Sequence, residues 1–586
     1  MQKSHKHIYT RFGRYLAPFK WKILLILLLV ILSSLGTLVS PWVIKVIIDD
    51  IFPKGDYAGL IFILSMLVVV NILRVLFEVA TDYIYVSVSG KIVNNIRSDL
   101  FYHVTRLPLS FFQHYRRGDI IKRLSDEVDE IEGSITGSVV GFAYNLLTII
   151  GISIALCWLS VELFAISIVV MPLIYLNIKF FQPKIMDLSR KLRSKEGYFS
   201  AFLIERVENI QLIKTFNKQK FEQDRLKNTY FDIIQSRIRQ ILNSSVHRSI
   251  SIFIISLTPI IIFGWGGGKV MSEALTIGTL IAFLQYLNRL FGPFRELMSL
   301  QLELLHAVPA MERVFEYFNY QPSEHLLEAD QSFSGIPFDD QIVFNQVSFN
   351  YGDKPILKSV DLLLTKGKKY VLVGESGSGK STILKLLCRY YEPNKGTIFI
   401  DGKDISKIDP YAMRATISYI GQQDMMFNDT ILNNIRYGSP ERSDQEIIEA
   451  AELVGISTDI AKMEEGYKTY LGDQGARISG GQRQLMSFAR LLLSAAEIII
   501  IDEATSAIDP IREHKLWQKL MPIFKDKTII AVTHRASTTK YFDHVVCVKD
   551  GQVIESGPVE ELRQHSDYFR RLFTHVGEIN ESVEEH

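Results

Sequence analysis

The chain has 586 residues, which is too long for a single hydrophobic core, so two or more domains are expected. Its 65 Lys and Arg residues almost balance its 64 Asp and Glu residues, and this balance gives no indication of a nucleic-acid partner. Three cysteines, Cys157, Cys388 and Cys547, are far apart and form no CxxC pair, which argues against a disulfide framework or a zinc site.

Six apolar segments before residue 320 are long enough to span a bilayer, which takes about 20 residues. They lie near 20–46, 58–80, 137–159, 161–182, 247–266 and 275–297. The basic opening of the chain resembles the start of a secretory signal, but the first apolar segment is too long and lacks a small-residue cleavage site. We therefore predict that residues 1–320 form an all-α transmembrane domain with six helices in the lipid bilayer of the cell membrane.

The basic residues fall on one side of these spans. Residues 1–20, 81–136 and 183–243 together carry 25 Lys and Arg, whereas the opposite loops carry only Lys54 and Lys269. The positive-inside rule then predicts that both termini and both long loops are cytosolic. The long loops have the mixed charge of exposed helices, so we expect the membrane helices to continue into the cytosol.

Polar residues inside the spans are candidates for contact with a transported substrate. Arg74 and Glu78 are four residues apart in the second span, and we expect them to pair on one helical face. Gln285, Asn288 and Arg289 share one face of the sixth span. That polar stripe could line a translocation cavity or hold neighbouring helices together.

The composition changes at residues 321–340, which are polar, contain two prolines and are predicted to be a linker. From 341 to 576, apolar strand-like runs such as KKYVLVG, EIIIIDEA and KTIIAVTH alternate with helical stretches. This alternation predicts an α/β domain with a largely parallel sheet. Residues 577–586 are left as a C-terminal tail.

The stretch GESGSGKST fits the pattern G-x-x-x-x-G-K-[ST], between a predicted strand and a predicted helix. Glycines let backbone N–H groups surround phosphate oxygens, and the helix N-terminus adds partial positive charge. Lys380 is then a cation for the β- and γ-phosphates, and the Ser381 hydroxyl is a ligand for Mg²⁺. The nucleotide-binding residues predicted here are Gly374, Glu375, Ser376, Gly377, Ser378, Gly379, Lys380, Ser381 and Thr382.

Two carboxylates end the apolar run EIIIIDEA, at residues 497–504. A buried carboxylate needs a cation or a hydrogen-bond donor, so this placement indicates a site rather than a surface. We predict that Asp502 binds Mg²⁺ through water and that Glu503 activates the attacking water.

The segment ARISGGQRQ predicts a second anion site. Ser479 is a predicted N-cap, and Gly480 and Gly481 would expose N–H groups at the start of a helix. The chain thus has two predicted phosphate-binding surfaces, the loop 374–382 and the segment that begins at Ser479, but only the first carries a lysine. If one ATP bridges the two surfaces, they must come from different subunits.

Together these motifs resemble the ATP-binding cassette (ABC) superfamily, and residues from about 10 to 575 are similar to bacterial half-transporters of the exporter type. GESGSGKST resembles the Walker A motif, IIIIDE the Walker B motif and ISGGQ the signature, with Ile478 in place of leucine. In this resemblance Gln482 completes the signature and Asp509, in SAIDP, belongs to the D-loop.

The resemblance also implies further nucleotide contacts. Tyr351 would stack on adenine, and His534 would contact the γ-phosphate as the switch histidine. Gln422 would touch Mg²⁺, with neighbouring Gln423 as the less favoured register. The implied catalytic residues are Glu503, His534, Gln422 and Lys380.

The function implied is an ATP hydrolase that exports an amphipathic or hydrophobic substrate, such as a drug, lipid or peptide, by alternating access. ATP and Mg²⁺ would be bound at the interface of a dimer. A homodimer is favoured, and a heterodimer with a second half-transporter stays open. Residues 116–124 and 207–216 would be coupling helices. The alternative function is an ATP-gated channel or sensor with the same fold.

Overall fold

The computed structural model describes residues 11–115, 117–132, 137–320 and 335–573. The chain divides into two compact units, residues 1–104 with 118–319 and residues 105–117 with 320–586. Most of the predicted linker and all of the predicted tail lie outside the described residues.

Helices make up the described chain before residue 320. A 3₁₀ turn, Ala17–Phe19, precedes the first of them, and a π-helical segment, Ile47–Ile51, follows it. The α-helices are α1 Lys20–Val46, α2 Phe52–Lys54, α3 Tyr57–Thr105, α4 Leu109–His114, α5 Arg117–Leu124, α6 Asp126–Ile131, α7 Gly137–Leu159, α8 Val161–Ile168, α9 Val170–Glu208, α10 Ile210–Thr215, α11 Gln219–Met271 and α12 Ile277–Tyr317.

The longest helices exceed the thickness of a bilayer. Helix α3 has 49 residues and α11 has 53. At 1.5 Å per residue they are about 73 Å and about 80 Å long, more than twice the ~30 Å hydrocarbon core. The prediction that membrane helices continue beyond the bilayer is confirmed, and the predicted turns at 116–124 and 207–216 are the short helices α5 and α10.

Length and composition support five of the six predicted spans. In the described chain, five helical stretches are long and apolar enough to cross a membrane: Arg11–Lys54, Tyr57–Thr105, Val140–Leu159, Val161–Glu208 and Gln219–Met271. The sixth predicted span lies in α12 and is not among them. The physical reason is its polar stripe, because each polar side chain lowers the mean hydropathy of a short segment.

Many side chains in the first half of α12 are nevertheless buried. Phe283 and Leu287 are fully buried, and they pack in one apolar cluster with Leu156 of α7, Leu163 of α8 and Ile262 of α11. A helix that is apolar on most of its faces is expected to lie inside a bundle. The predicted sixth span is therefore a central helix of this unit.

The second unit contains two sheets. Its strands are β1 Gln341–Tyr351, β2 Lys354–Thr365, β3 Lys369–Val373, β4 Lys395–Ile400, β5 Lys403–Asp404, β6 Ile417–Ile420, β7 Ile498–Asp502, β8 Thr528–Val532, β9 His544–Lys549 and β10 Gln552–Pro558. Its α-helices are α13 Lys380–Leu387, α14 Pro410–Thr416, α15 Ile431–Arg436, α16 Asp444–Val454, α17 Ser457–Ile460, α18 Gly480–Leu493, α19 Pro510–Ile523, α20 Ala536–Thr539 and α21 Val559–His565.

The larger sheet has the order β10-β9-β3-β8-β7-β6. Its neighbours from β9 to β6 pair in parallel, and β10 is an antiparallel edge strand. The predicted parallel sheet is thus confirmed. Because parallel strands end at one edge of a sheet, the segments after β3, β7 and β8 are brought together there.

The smaller sheet, β2-β1-β4-β5, is antiparallel. The sequence analysis did not predict β2, because Lys358, Ser359 and Asp361 interrupt its apolar residues. Buried and exposed positions alternate in the structure from 360 to 365. Alternation is what a strand buried on one face requires. Leu372 of β3 and Ile500 of β7 pack in one core with Phe344 of β1, whereas Val371 and Ile499, one residue earlier, face a second core.

Candidate active site

The loop between β3 and α13 requires glycine at two positions. At Gly374 a Cβ would lie 2.1 Å from the backbone oxygen of Val548. Gly379 has a φ of +106°, and a Cβ there would lie 2.6 Å from Cδ2 of Leu357. L-residues with a side chain rarely adopt that φ. The glycines thus allow the loop to turn tightly against its neighbours.

This loop is built to hold an anion. Lys380 is 4% exposed, and its ammonium donates to the backbone oxygens of Gly374 at 2.8 Å and Glu375 at 2.7 Å. Burial lowers the pKa of Lys380, an effect that the nearby Glu503 and Asp502 carboxylates oppose. In the described chain, the backbone N–H groups of Gly377 and Gly379 donate no hydrogen bond. Unpaired amides beside a lysine and a helix N-terminus suit phosphate oxygens.

Asp502, at the end of β7, lies beside the loop and is 2% exposed. It accepts hydrogen bonds from the Ser381 hydroxyl at 2.8 Å and from the Tyr419 hydroxyl at 3.1 Å. Burial raises the pKa of Asp502, and these two hydrogen bonds oppose that shift. A carboxylate and a serine hydroxyl are oxygen ligands that fit Mg²⁺.

Two of the other predicted catalytic side chains contact Glu503. Its backbone has a φ of +54°, unusual for a residue with a side chain. Nε2 of His534 lies 2.8 Å from one carboxylate oxygen, and the Gln422 amide donates to the other at 3.0 Å. A carboxylate held on both sides in this way is oriented for general-base chemistry.

Tyr351, predicted to stack on a base, lies in a group of aromatic rings. It meets Phe349 and Tyr391 edge-on, with ring centroids 4.8 Å and 5.2 Å apart. Burial raises the pKa of Tyr351, and Thr382 of the phosphate loop opposes that shift. The sequence analysis did not single out Tyr391.

The second predicted anion surface begins α18. Ser479 is its N-cap, as predicted. The Ser479 hydroxyl accepts a hydrogen bond from the backbone N–H of Gln482, and the side-chain oxygen of Gln482 accepts one from the backbone N–H of Ser479. At Gly481 a Cβ would lie 2.9 Å from the backbone oxygen of Ala507. The glycine therefore also lets α18 approach the segment 506–509. In the described chain, no hydrogen bond joins this surface to the loop 374–382.

Comparison with known proteins settles the family. The model of the ABC transporter transmembrane region matches residues 23–294, and the ABC transporter model matches residues 357–506. The "Putative multidrug export ATP-binding/permease protein YgaD" of Bacillus subtilis (strain 168) is 31% identical over 97% of this chain and 99% of its own length. The chain belongs to the ABC transporters. With one membrane domain and one cassette, it is an exporter-type half-transporter and an ATP hydrolase coupled to transport.

Other ABC transporters are similar over a comparable length. The ATP-dependent lipid A-core flippase of Desulfotalea psychrophila (strain LSv54 / DSM 12343) is 28% identical over 97% of this chain and 99% of its own length. A bacterial Atm1-family ABC exporter solved with ATP bound shares the fold, with a TM-score of 0.81 at 23% identity over 95% of this chain and 98% of that one.

Two residues of this ABC transporter's cassette were missed by the sequence analysis and connect its motifs. Gln484, 2% exposed, accepts from the Ala507 amide at 2.9 Å and donates to the Ser506 hydroxyl at 3.2 Å. Arg535 donates to the backbone oxygens of Ser506 and Ile508, both at 3.1 Å. Asp509 itself caps α19 by accepting from the Arg512 amide at 2.9 Å.

Tyr419 was missed for a different reason. Its strand, β6, has four residues and was not predicted, so its register against β7 was unknown. Tyr419 pairs with Ile500, two residues before Asp502, which brings its hydroxyl to that carboxylate. A tyrosine inside the apolar run ISYI was the only signal in the sequence.

In the membrane domain, the predicted pairing of Arg74 with Glu78 is wrong. No ion pair joins these two described residues; the Arg74 stem instead packs beside Gly36 of α1, 3.4 Å from where a Cβ would be. Helix packing, rather than an internal pair, places this arginine. Long basic side chains commonly bury their apolar stems in this way.

The polar stripe of α12 has a packing role at one of its three residues. Arg289 donates to the backbone oxygen of Thr37 at 2.5 Å and to the Ser40 hydroxyl at 3.4 Å, both on α1. Gln285 is half-buried and Asn288 is exposed. At Arg289 the structure therefore favours the interpretation that the stripe holds helices together.

Proposed function

We propose that this ABC transporter exports an amphipathic or hydrophobic substrate, out of the cytosol or the inner leaflet, by alternating access. The observation that carries the proposal is the arrangement around Glu503, which His534 and Gln422 hold from both sides beside the buried Asp502. A device that only binds ATP does not need an oriented general base. This arrangement supports repeated ATP hydrolysis, and hence pumping, over gating alone.

We assign the phosphates of ATP to the loop 374–382, with Lys380 exchanging its two carbonyl acceptors for phosphate oxygens. Mg²⁺ would be held by Ser381, Asp502 and Gln422, and when bound it neutralises charge on the β- and γ-phosphates. Glu503 accepts a proton from the attacking water, and His534 orients Glu503 and the γ-phosphate. Tyr351 supplies the surface for adenine.

We further propose that two copies of the chain form the working unit. The phosphate loop and the Ser479 surface share no hydrogen bond within one described chain, so an ATP that touches both would lie between two subunits. Every nucleotide motif in this chain is complete, which favours a homodimer. ATP that binds the closed dimer better than the open one can shift the population toward closure.

We also propose an orientation with both termini and the cassette in the cytosol. The 25 basic residues on one side of the spans against two on the other support it. Among the relatives, one is described as a putative multidrug export protein and another as a lipid A-core flippase. The second description supports an amphipathic substrate, because a lipid has a polar and an apolar part.

The test is ATP-driven uptake into vesicles in which the cassettes face outward. The expected result is accumulation of a fluorescent amphipathic substrate above its external concentration, with ATP and Mg²⁺ present. Glu503→Gln is the control and should bind ATP without accumulating substrate. Flux that only equalises the two concentrations would assign the protein to the gated channels and refute the proposal.

A further inference from the structure

The membrane domain contains an acidic cavity away from the nucleotide site. Its volume is about 290 Å³, and side chains of α1, α3, α7 and α12 line it. Three of the lining residues are carboxylic acids, Glu78, Asp82 and Glu296, and none of the described lining residues is Lys, Arg or His. A cavity of this charge attracts cations and repels anions.

The two acids on α3 are exposed in the described chain, so both are open to a ligand. Glu78 and Asp82 are four residues apart, so they lie on one face of the helix, where like charges repel. Neither forms a hydrogen bond or ion pair with another described residue, and Arg74, one turn before Glu78, packs beside Gly36 instead. Uncompensated carboxylates near hydrocarbon are costly unless a cation meets them.

A buried amide gives an independent indication of the ligand. Asn145 of α7 lines the same cavity and is only 3% exposed, yet its side-chain oxygen has no hydrogen-bond partner in the described chain. A buried acceptor without a donor costs free energy, which a ligand with an N–H group would recover. Carboxylates alone would accept any cation, but this oxygen favours a cation that donates hydrogen bonds.

The remaining lining fits an apolar body. Tyr85 and Tyr144 line the cavity, and tyrosine rings attract both apolar groups and cations. Glu78 lies near the cytosolic end of the second predicted span, and Val140 lies near the start of the third. The cavity is thus at the depth where an amphipathic molecule in the inner leaflet keeps its polar end.

We propose that this cavity binds a protonated amine carried on an apolar or aromatic body. The inference rests on the proposed export function and names the chemical class of its substrate. The ammonium lies between Glu78 and Asp82 and donates to Asn145, while the apolar body contacts Tyr85 and Tyr144.

The test uses three naphthalene probes of nearly the same shape: 1-naphthylmethylammonium, neutral 1-naphthalenemethanol and anionic 1-naphthoate. Binding to the full-length protein in phosphatidylcholine nanodiscs is measured by equilibrium dialysis, with protein-free discs as background and without ATP. The expected result is saturable binding of the ammonium at least about tenfold tighter than of the alcohol, because a close charge pair contributes at least that much when poorly hydrated. Equal affinities for ammonium and alcohol overturn the proposal.

Variants locate the site. Glu78→Gln and Asp82→Asn, made singly so that each change is small, should each weaken ammonium binding severalfold and leave alcohol binding unchanged. Glu273→Gln is the matched control, because it removes an exposed carboxylate from the loop between α11 and α12. If Glu273→Gln weakens ammonium binding and the two cavity variants do not, the amine does not bind in this cavity.

Two further measurements distinguish a lipid amine from a free amine, and failure of this inference from failure of the export function. Discs containing phosphatidylethanolamine show whether the ammonium belongs to a lipid: competition by that lipid assigns the cavity to its headgroup, and no competition assigns it to a free amine. ATP-driven uptake of uncharged substrates with no amine selectivity defeats this inference while the export function stands. Amine binding without ATP-driven uptake of any compound defeats the export function while the binding site stands.

Discussion

The phosphate site of the cassette and the acidic cavity of the membrane domain differ in how their polar side chains are paired. In the cassette, Asp502 and Lys380 are almost completely buried. Asp502 has two hydrogen-bond partners from the protein itself, and Lys380 has three. In the membrane domain, Asn145 is about as buried, yet its side-chain oxygen has no hydrogen-bond partner in the described chain. Glu78 and Asp82 line the same cavity; both are exposed, and neither pairs with another described residue.

The difference follows from what each region has to bind. Hydrolysis of ATP needs charges fixed before the reaction, because preorganised groups cost no rearrangement as charge develops. A substrate cavity has to release its cargo, and unpaired groups in it favour a ligand that supplies the missing partner. The following substitutions test whether the nucleotide site is as preorganised as its hydrogen bonds indicate. They also test how much a hydrogen-bonded side chain contributes in the membrane domain.

The largest effect is expected for Glu503→Gln. Loss of a positioned general base lowers the hydrolysis rate by about 10²–10⁴-fold, while ATP affinity should stay close to that of the wild type. Phosphate release and nucleotide binding measure the two effects separately. Glu497→Gln, at the other end of β7, is the control and should hydrolyse ATP normally. A normal rate in Glu503→Gln would disprove the assignment of the base.

Lys380→Ala should act on binding. It removes a charged donor from the phosphate loop, and hydrogen bonds to charged groups are worth about 1.5–3 kcal/mol, or roughly 10–100-fold in affinity. Titration of the detergent-solubilised protein with a fluorescent ATP analogue measures this loss. Lys403→Ala changes an exposed lysine of β5 and should leave the affinity unchanged. Wild-type affinity in Lys380→Ala would mean that the loop amides alone hold the phosphates.

A smaller effect is expected for Tyr419→Phe, which removes one hydrogen bond to Asp502. One such bond is worth about 1 kcal/mol, so the Mg²⁺ concentration for half-maximal ATPase should rise about fivefold. In the wild type this hydrogen bond lowers the pKa of Asp502. Its loss therefore raises that pKa, and the acid limb of the pH–rate profile should move to higher pH.

The control for that change is Tyr390→Phe. The Tyr390 ring lies edge-on to Tyr419, with centroids 5.7 Å apart, and the substitution keeps that packing. Its Mg²⁺ dependence should match the wild type. If the two variants respond alike, the hydroxyl of Tyr419 does not position Asp502.

The smallest effect is expected in the membrane domain. Arg289→Ala removes the hydrogen bonds from α12 to Thr37 and Ser40, so the free energy of unfolding should fall by about 1 kcal/mol. Thermal unfolding followed by tryptophan fluorescence measures this change, and ATP affinity should not respond. Asn288→Ala is the neighbouring control. Equal melting temperatures for Arg289→Ala and the wild type would indicate that this arginine does not hold the two helices.

Much of the architecture could be predicted because it rests on local patterns. The bounds of α1, α7 and β1 follow from apolar runs that a membrane or a sheet core requires. The loop 374–382 could be predicted because its glycines and lysine are adjacent in sequence. Strands β2 and β6 could not be predicted, because polar residues interrupt the apolar residues of β2 and because β6 has only four residues.

The sequence by itself determined the two kinds of domain and the residues of the phosphate loop, since hydropathy and backbone freedom are properties of adjacent residues. Only the tertiary structure decided that Tyr419 meets Asp502, that Arg74 leaves Glu78, and that Asn145 joins Glu78 and Asp82 at one cavity. Each of these depends on the register of one element against another. A side chain's partner across a sheet or between helices is set by packing over the whole unit, which no local pattern encodes.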